Sequence, residues 1–285
     1  MQRCSVIPIL DRLGALQPRA RAWICDIWGV IHNGVVAFPV AVEACVSFRA
    51  GGGRIILVSN APRPSDGVVA QLGALGVPRS AYDAVLTSGD VARAMLRGWR
   101  GVPTLHIGPE RDLTLFKGLG VPLVGPPEAA RVLCSGLTDD TVETPETYRQ
   151  MLGALAVRHL PMLCANPDIK VDRGGKIIYC GGAIAALYAE LGGRVEYAGK
   201  PYPAIYATAR AMLKEMTGQD IALTDVMAIG DGVHTDIAGG ISAGMRSIYI
   251  ASPIHAQGAL TIAALDRLFP VEALRPTAAM DALAW

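Results

Sequence analysis

A chain of 285 residues, 51% hydrophobic and 18% charged, is long enough for one large domain or two modest ones and too apolar to stay disordered. With 26 Lys and Arg against 25 Asp and Glu the net charge is +1, which argues against nucleic acid or an anionic membrane as the main partner, since both require a basic excess. Mean hydropathy is +0.34, but charges, Gly or Pro interrupt every apolar stretch well short of the roughly 18–20 residues that cross a bilayer, so the surplus reads as buried parallel strands under closely packed helices.

The first elements alternate strand and helix. Residues 22–27 (AWICDI) are an apolar run containing a carboxylate, and 39–50 (PVAVEACVSFRA) read as a helix stopped by Gly51-Gly52-Gly53. A second buried strand follows over 54–60 (RIILVSN), then a helix over 64–75 and a strand over 84–87. This β-α-β-α-β order implies a parallel sheet covered on both faces, and ligands of such sheets bind beyond the carboxyl ends of the strands. Asp26 and Ser59-Asn60 sit at those ends.

The middle of the chain repeats the pattern. Strands are expected at 104–108, 161–165 and 176–179, with helices at 145–157 and 183–191; Asn166-Pro167-Asp168 ends the second of these strands. Gly and Pro thicken at 98–103, 120–127 and 192–203. The last third returns to the first pattern: helix 203–216, strand 226–229, polar turn 230–235, helix 236–243 and strand 246–250. The organisation is that of one α/β domain interrupted by a second, with the first formed by residues 1–98 and 195–285 and the insert by 99–194.

Cysteines at 4, 25, 45, 134, 164 and 180 form no CxxC pair and no Cys/His cluster at metal spacing. Several lie in or beside apolar runs, where Cys acts as a small hydrophobe, so free thiols are expected rather than a disulfide framework. Residues 1–23 lack the apolar core and small-residue cleavage site of a signal peptide, and a cytoplasmic location is expected.

Some short patterns fail on context. Gly240-Ile241-Ser242-Ala243-Gly244 fits G-x-S-x-G, but it closes a helix and precedes a strand, the reverse of a nucleophile elbow. Gly199-Lys200 lacks P-loop spacing, with Pro201 where Ser or Thr must bind magnesium, and no G-x-G-x-x-G follows the first strand. Four polar points remain, each at a strand end or before a helix: Asp26, Ser59-Asn60, Lys200, and Asp231 with Asp236. Singly, each has an ordinary reading as a turn residue, helix cap or solvated lysine. Together they have a chemical logic. Converging carboxylates hold a hard cation, which shields one of them for attack on an anionic phosphorus, while a hydroxyl, an amide and an ammonium hold the phosphoryl oxygens.

On these residues the sequence resembles the haloacid dehalogenase-like (HAD) superfamily of hydrolases, in particular the class IIA branch of NagD-like and p-nitrophenyl phosphatases, from about residue 22 to 252. The resemblance implies a Rossmannoid parallel-sheet core with an inserted α/β cap of the C2 type, and a homodimer through the cap. It implies that Asp26 is the nucleophile, that Ser59 and Asn60 bind phosphate, that Lys200 of Gly199-Lys200-Pro201 pairs with both, and that Asp231 ligates magnesium with Asp236 in support. Asn166 and Asp168 either face the substrate from the cap or form an Asx/Pro turn that ends a strand.

One position departs from the pattern. The family's phosphatases carry D-x-D at the first motif, the second Asp serving as general acid and base; here the run is Asp26-Ile27-Trp28. The metal contact from that second position is a backbone carbonyl, which Trp28 retains, but an indole can neither protonate a leaving group nor activate water. His32 is a conceivable substitute, with a hydrogen-bonded loop histidine as the alternative. His234 lies in the metal turn, a solvent-facing residue by default, and His106, His159 and His255 carry no pattern. The expected function is a magnesium-dependent phosphatase acting on a small phosphorylated metabolite through an aspartyl-phosphate at Asp26. The alternatives are a HAD hydrolase of a C–halogen or C–P bond, which the missing acid favours, and a non-catalytic binder of a phosphorylated ligand.

Overall fold

The computed structural model describes residues 6–173, 176–251 and 260–285; Cys4 and His255 lie outside them. The chain begins its regular structure with β1 (Ala22–Asp26), α1 (Pro39–Ala50), β2 (Arg54–Ser59), α2 (Ser65–Ala74), β3 (Ala84–Thr87) and α3 (Ser88–Leu96). It continues with β4 (Thr104–Ile107), β5 (Arg131–Cys134), α4 (Arg149–Val157), β6 (Met162–Cys164), β7 (Lys170–Arg173), β8 (Lys176–Tyr179), α5 (Gly181–Glu190) and β9 (Val195–Tyr197). The last elements are α6 (Pro203–Thr217), β10 (Val226–Gly230), α7 (Ala238–Ser242), β11 (Arg246–Ile250), α8 (Ile262–Leu268) and β12 (Ala278–Met280). Among the described residues no helix is long and apolar enough to cross a membrane, and Cys25, Cys45, Cys134, Cys164 and Cys180 are buried and form no disulfide with one another.

Two compact units share the chain. The first holds the residues up to Ser59 together with Val68–Leu86 and Tyr206–Trp285. Its six-stranded parallel sheet runs β12-β11-β10-β1-β2-β3. Every residue of β1 and β10 is buried, because both faces of a parallel sheet are covered. Trp23 of β1 stacks on Phe48 of α1 with ring centroids 3.9 Å apart, and Trp285 packs edge-on against both. The expected polar turn and helix at 230–243 are realised as a π-helical turn over Val233–Ile237 that leads into α7. Gly240–Gly244 closes that helix ahead of β11, the order that argued against a nucleophile elbow.

The second unit holds Asn60–Gly67 and Thr87–Ile205. Its four-stranded parallel sheet runs β4-β5-β6-β9, with β7 and β8 pairing as an antiparallel hairpin. Leu152, Leu155, Ile184 and Tyr188 of α4 and α5 pack with Val132, Cys134, Met162 and Cys164 of this sheet in one apolar core. A polar contact sits at the ends of β4 and β5. His106 Nε2 lies 2.9 Å from Ser135 Oγ, and Ser135 also hydrogen-bonds the buried carboxyl of Asp112.

Burial pushes His106 down from 6.5 to about 4. Between those values the unfolded chain holds more protons than the folded one, so folding stability falls as the pH drops through that window, by up to about 3 kcal/mol. Asp112, which burial raises against the lowering pull of Ser135 and Arg111, works in the opposite direction at the acid end. Urea melts at pH 7 and pH 4.5 are expected to show a smaller acid loss for His106→Gln than for wild type; equal losses would remove His106 as a source of the pH dependence.

Candidate active site

The register of the first sheet brings the acidic residues together. Asp26 pairs with Val58 of β2, and Cys25 with Ile229 of β10, so Asp26 stands level with Gly230, one residue before Asp231. Adjacent parallel strands therefore end on these two carboxylates, while Ser59 closes β2 on the other side of β1. Asp236 comes back to them from the π-helical turn, where its Oδ2 accepts from the Gly232 N–H at 3.2 Å and the Thr235 hydroxyl at 3.3 Å. Its carboxyl lies where a side chain on residue 230 would go, so that position has to be glycine.

Asp26, Asp231 and Asp236 are each buried, and one oxygen from each lies within 4.8 Å of the others. Three anions this close and this far from water repel one another unless a cation sits among them. An all-carboxylate set of hard oxygens fits magnesium or calcium and suits softer metals poorly.

The loop after β1 is tightly tied. Ile31 and His32 N–H both donate to the Ile27 carbonyl at 2.8 and 3.2 Å, and Gly29 N–H donates to the His32 carbonyl at 2.8 Å. The Trp28 and His32 rings meet edge to face with centroids 5.6 Å apart. His32 Nδ1 accepts from the Gly34 N–H at 2.9 Å, which places the proton of the neutral ring on Nε2. Burial lowers the pKa of His32, only partly opposed by a backbone hydrogen bond. Of the other histidines, His234 and His159 are exposed.

A second cluster forms within the second unit. The Asn60 side chain clasps the backbone of Lys200: its Oδ1 accepts the Lys200 N–H at 2.8 Å and its Nδ2 donates to the Lys200 carbonyl at 3.1 Å. The same Nδ2 donates to Asp168 Oδ1 at 2.8 Å. Asn60 and Lys200 are both buried. Gly199 packs so closely on Asn60, Ser88 and Pro167 that an added Cβ would collide with all three. Asn166 accepts the Asp168 N–H at 3.2 Å in an Asx turn, and Asp168 reaches Asn60. Buried Ser88, which sequence reasoning did not single out, donates to the Ala165 carbonyl at 2.6 Å and fastens α3 to the end of β6.

The family model for haloacid dehalogenase-like hydrolases matches residues 23–122, and one described as HAD-hydrolase-like matches 197–279. A hydrolase of the haloacid dehalogenase-like family from Brucella suis is 46% identical, with a TM-score of 0.82 over 88% of this chain and 99% of that one. The chain belongs to the haloacid dehalogenase-like hydrolase family. Its HAD core and cap fold is shared by the p-nitrophenyl phosphatase of Archaeoglobus fulgidus, 24% identical with a TM-score of 0.74 over 93% of this chain and 97% of that one. It is shared too by a glycerol phosphate phosphatase of Mycobacterium tuberculosis solved in complex with calcium, 24% identical with a TM-score of 0.68 over 91% of this chain and 72% of that one. Comparison with curated proteins finds no match. The two HAD matches cover both flanks of the first unit, including Asp26, Asp231 and Asp236.

Proposed function

We propose that this HAD hydrolase is a magnesium-dependent phosphatase that acts on a small phosphorylated metabolite through an aspartyl-phosphate at Asp26. The observation that carries the reading is the convergence of the Asp26, Asp231 and Asp236 carboxylates at the ends of neighbouring strands. We assign the cap to residues 99–194, and we keep a homodimer through the cap and a cytoplasmic location as parts of the same proposal.

Asp26 Oδ attacks phosphorus, the P–O ester bond breaks, and the electron pair leaves on the alcohol or phenol oxygen. Water then attacks phosphorus, releasing inorganic phosphate and restoring the Asp26 carboxylate. Lys200 and Ser59 offer an ammonium and a hydroxyl to the phosphoryl oxygens, where preorganised donors act on developing charge. Asn60 fixes the backbone of Lys200, and Asp168 holds the amide of Asn60; Asn166 shapes the turn that carries Asp168. Asp26, Asp231, Asp236 and the Trp28 carbonyl would hold magnesium, whose charge offsets the repulsion between an anionic nucleophile and an anionic substrate.

Asp231→Asn removes one anionic ligand and keeps its shape. Calorimetric titration with magnesium is expected to show affinity weakened roughly tenfold or more, with an unchanged melting temperature in the absence of metal. Unchanged affinity would remove Asp231 from the metal set. A second reading rests on Trp28: with no acid at that position, a bond whose departing group needs no proton, such as C–halogen, suits the site. Halide release from short haloacids in the absence of any phosphate-ester turnover would favour it.

A further inference from the structure

Two nitrogens in the loop after β1 carry hydrogens that are buried with no acceptor among the described residues: Trp28 Nε1 and His32 Nε2. For Trp28 this is the side chain's whole polar capacity. For His32 the other ring nitrogen is already engaged by the Gly34 N–H, so Nε2 is a donor by necessity. The Ser247 hydroxyl in β11 is likewise buried without a partner, whereas the two arginines in the same position have alternatives. Arg246 bonds the carbonyls of Thr224 and Pro18 through its other nitrogens, and Arg275 bonds Phe269 and Asp266. Trp28 and His32 instead meet ring to ring, so two unmet donors sit on one short loop.

The pair is also held in place. His32 is 2% exposed and its backbone is bonded on both sides. The indole six-membered ring covers Gly34, whose φ of +90° and lack of a Cβ allow that approach. Asn33 Oδ1 accepts the N–H groups of Val35 and Val36 at 3.0 and 2.9 Å and stiffens the tip of the loop. The His32 ring cannot turn its Nε2 elsewhere without giving up the Gly34 N–H bond. Buried donors are almost always satisfied, and rigid ones left open are what a ligand oxygen requires.

We propose that Trp28 Nε1–H and His32 Nε2–H together take an oxygen of the substrate at the Asp26 end of the sheet, donating hydrogen bonds without transferring a proton. This rests on the phosphatase reading, in which the oxygen belongs to the phosphate ester. The pair is neutral, so it accommodates ester and phosphoryl oxygens beside the carboxylates without adding a competing charge. The loop thereby supplies orientation and hydrogen bonding where a proton donor is missing.

The test uses ¹⁵N-labelled full-length protein, magnesium and inorganic phosphate as the probe, with the indole and imidazole N–H resonances followed by NMR and phosphate affinity by calorimetry. Trp28→Phe keeps an aromatic ring and removes one donor. His32→Asn keeps an acceptor for Gly34 and removes the other. Phosphate is expected to move both resonances downfield with the same saturation curve, and each variant to bind phosphate about 2–10-fold more weakly, the scale of one neutral hydrogen bond. If phosphate binds while both resonances stay still and both variants match wild type, the pair is satisfied by internal water and the inference is wrong, with the phosphatase reading intact. If wild type binds no phosphate in the presence of magnesium, both fall together.

Discussion

An aryl or acyl phosphate, such as p-nitrophenyl or acetyl phosphate, is expected to be hydrolysed about 10²–10⁴-fold faster than an alkyl phosphate such as a sugar phosphate, the range that general acid catalysis normally supplies. The reason is Trp28. Asp26 is followed two residues later by an indole, in the position where the HAD phosphatases place the carboxylic acid that protonates the departing oxygen. A nitrophenolate or acetate leaves as a stabilised anion, whereas an alkoxide needs the proton. Burial lowers the pKa of His32, which disfavours the protonated ring that a general acid requires. Trp28→Asp is therefore expected to raise alkyl-phosphate turnover more than aryl-phosphate turnover and to flatten the leaving-group dependence. A wild-type protein that cleaves both classes equally fast has another acid. If neither protein cleaves any ester while both bind magnesium and phosphate, the site is a binding site or acts on another bond.

Asp26→Asn is expected to abolish turnover, on the order of 10⁴–10⁶-fold, as the removal of a covalent nucleophile does in other enzymes. The amide matches the carboxylate in shape and fits the end of β1 between Val58 and Gly230. Folding should be preserved, because relieving one of three clustered anions does not cost packing. Phosphate binding through Lys200 and Ser59 should survive in part. A variant that retains wild-type rates would exclude Asp26 from the chemistry and leave the acidic cluster with a metal-holding role alone.

The strands that carry these residues were legible because each announces itself locally. AWICD, RIILVS and VMAIG are short apolar runs, and each ends at or beside a polar residue proposed for the chemistry. The acidic cluster followed from the parallel topology, since neighbouring strand ends must lie side by side. The helix over Ser88–Leu96 was missed although it carries a signal: Thr87 and Asp90 form a capping box at its start. The strands at 131–134, 170–173, 195–197 and 278–280 are three or four residues long, too short for periodicity to separate them from loop. The helix over Gly181–Glu190 begins two residues before its expected start because Gly181 and Gly182 are buried in its first turn, where two glycines in sequence read as a breaker.

What no sequence pattern could show is the use made of side chains over long separations. The Asn60 amide reaches the backbone of Lys200 and the carboxylate of Asp168, 140 and 108 residues away. The burial of the Trp28 indole N–H without an acceptor among the described residues is a fact of three-dimensional packing that no local pattern carries.

Rapid acid quench of wild-type protein mixed with acetyl phosphate and magnesium, followed by mass spectrometry of the peptide that contains residues 22–38, tests the mechanism most directly. With water activation weakened by the absence of the second carboxylate, the covalent intermediate should build up to a measurable fraction of the enzyme. The expected result is one phosphoryl group on Asp26, removable by hydroxylamine and absent from Asp26→Asn. Turnover of acetyl phosphate with no phosphoryl group on Asp26 at any quench time, or with the label on another residue, would contradict it.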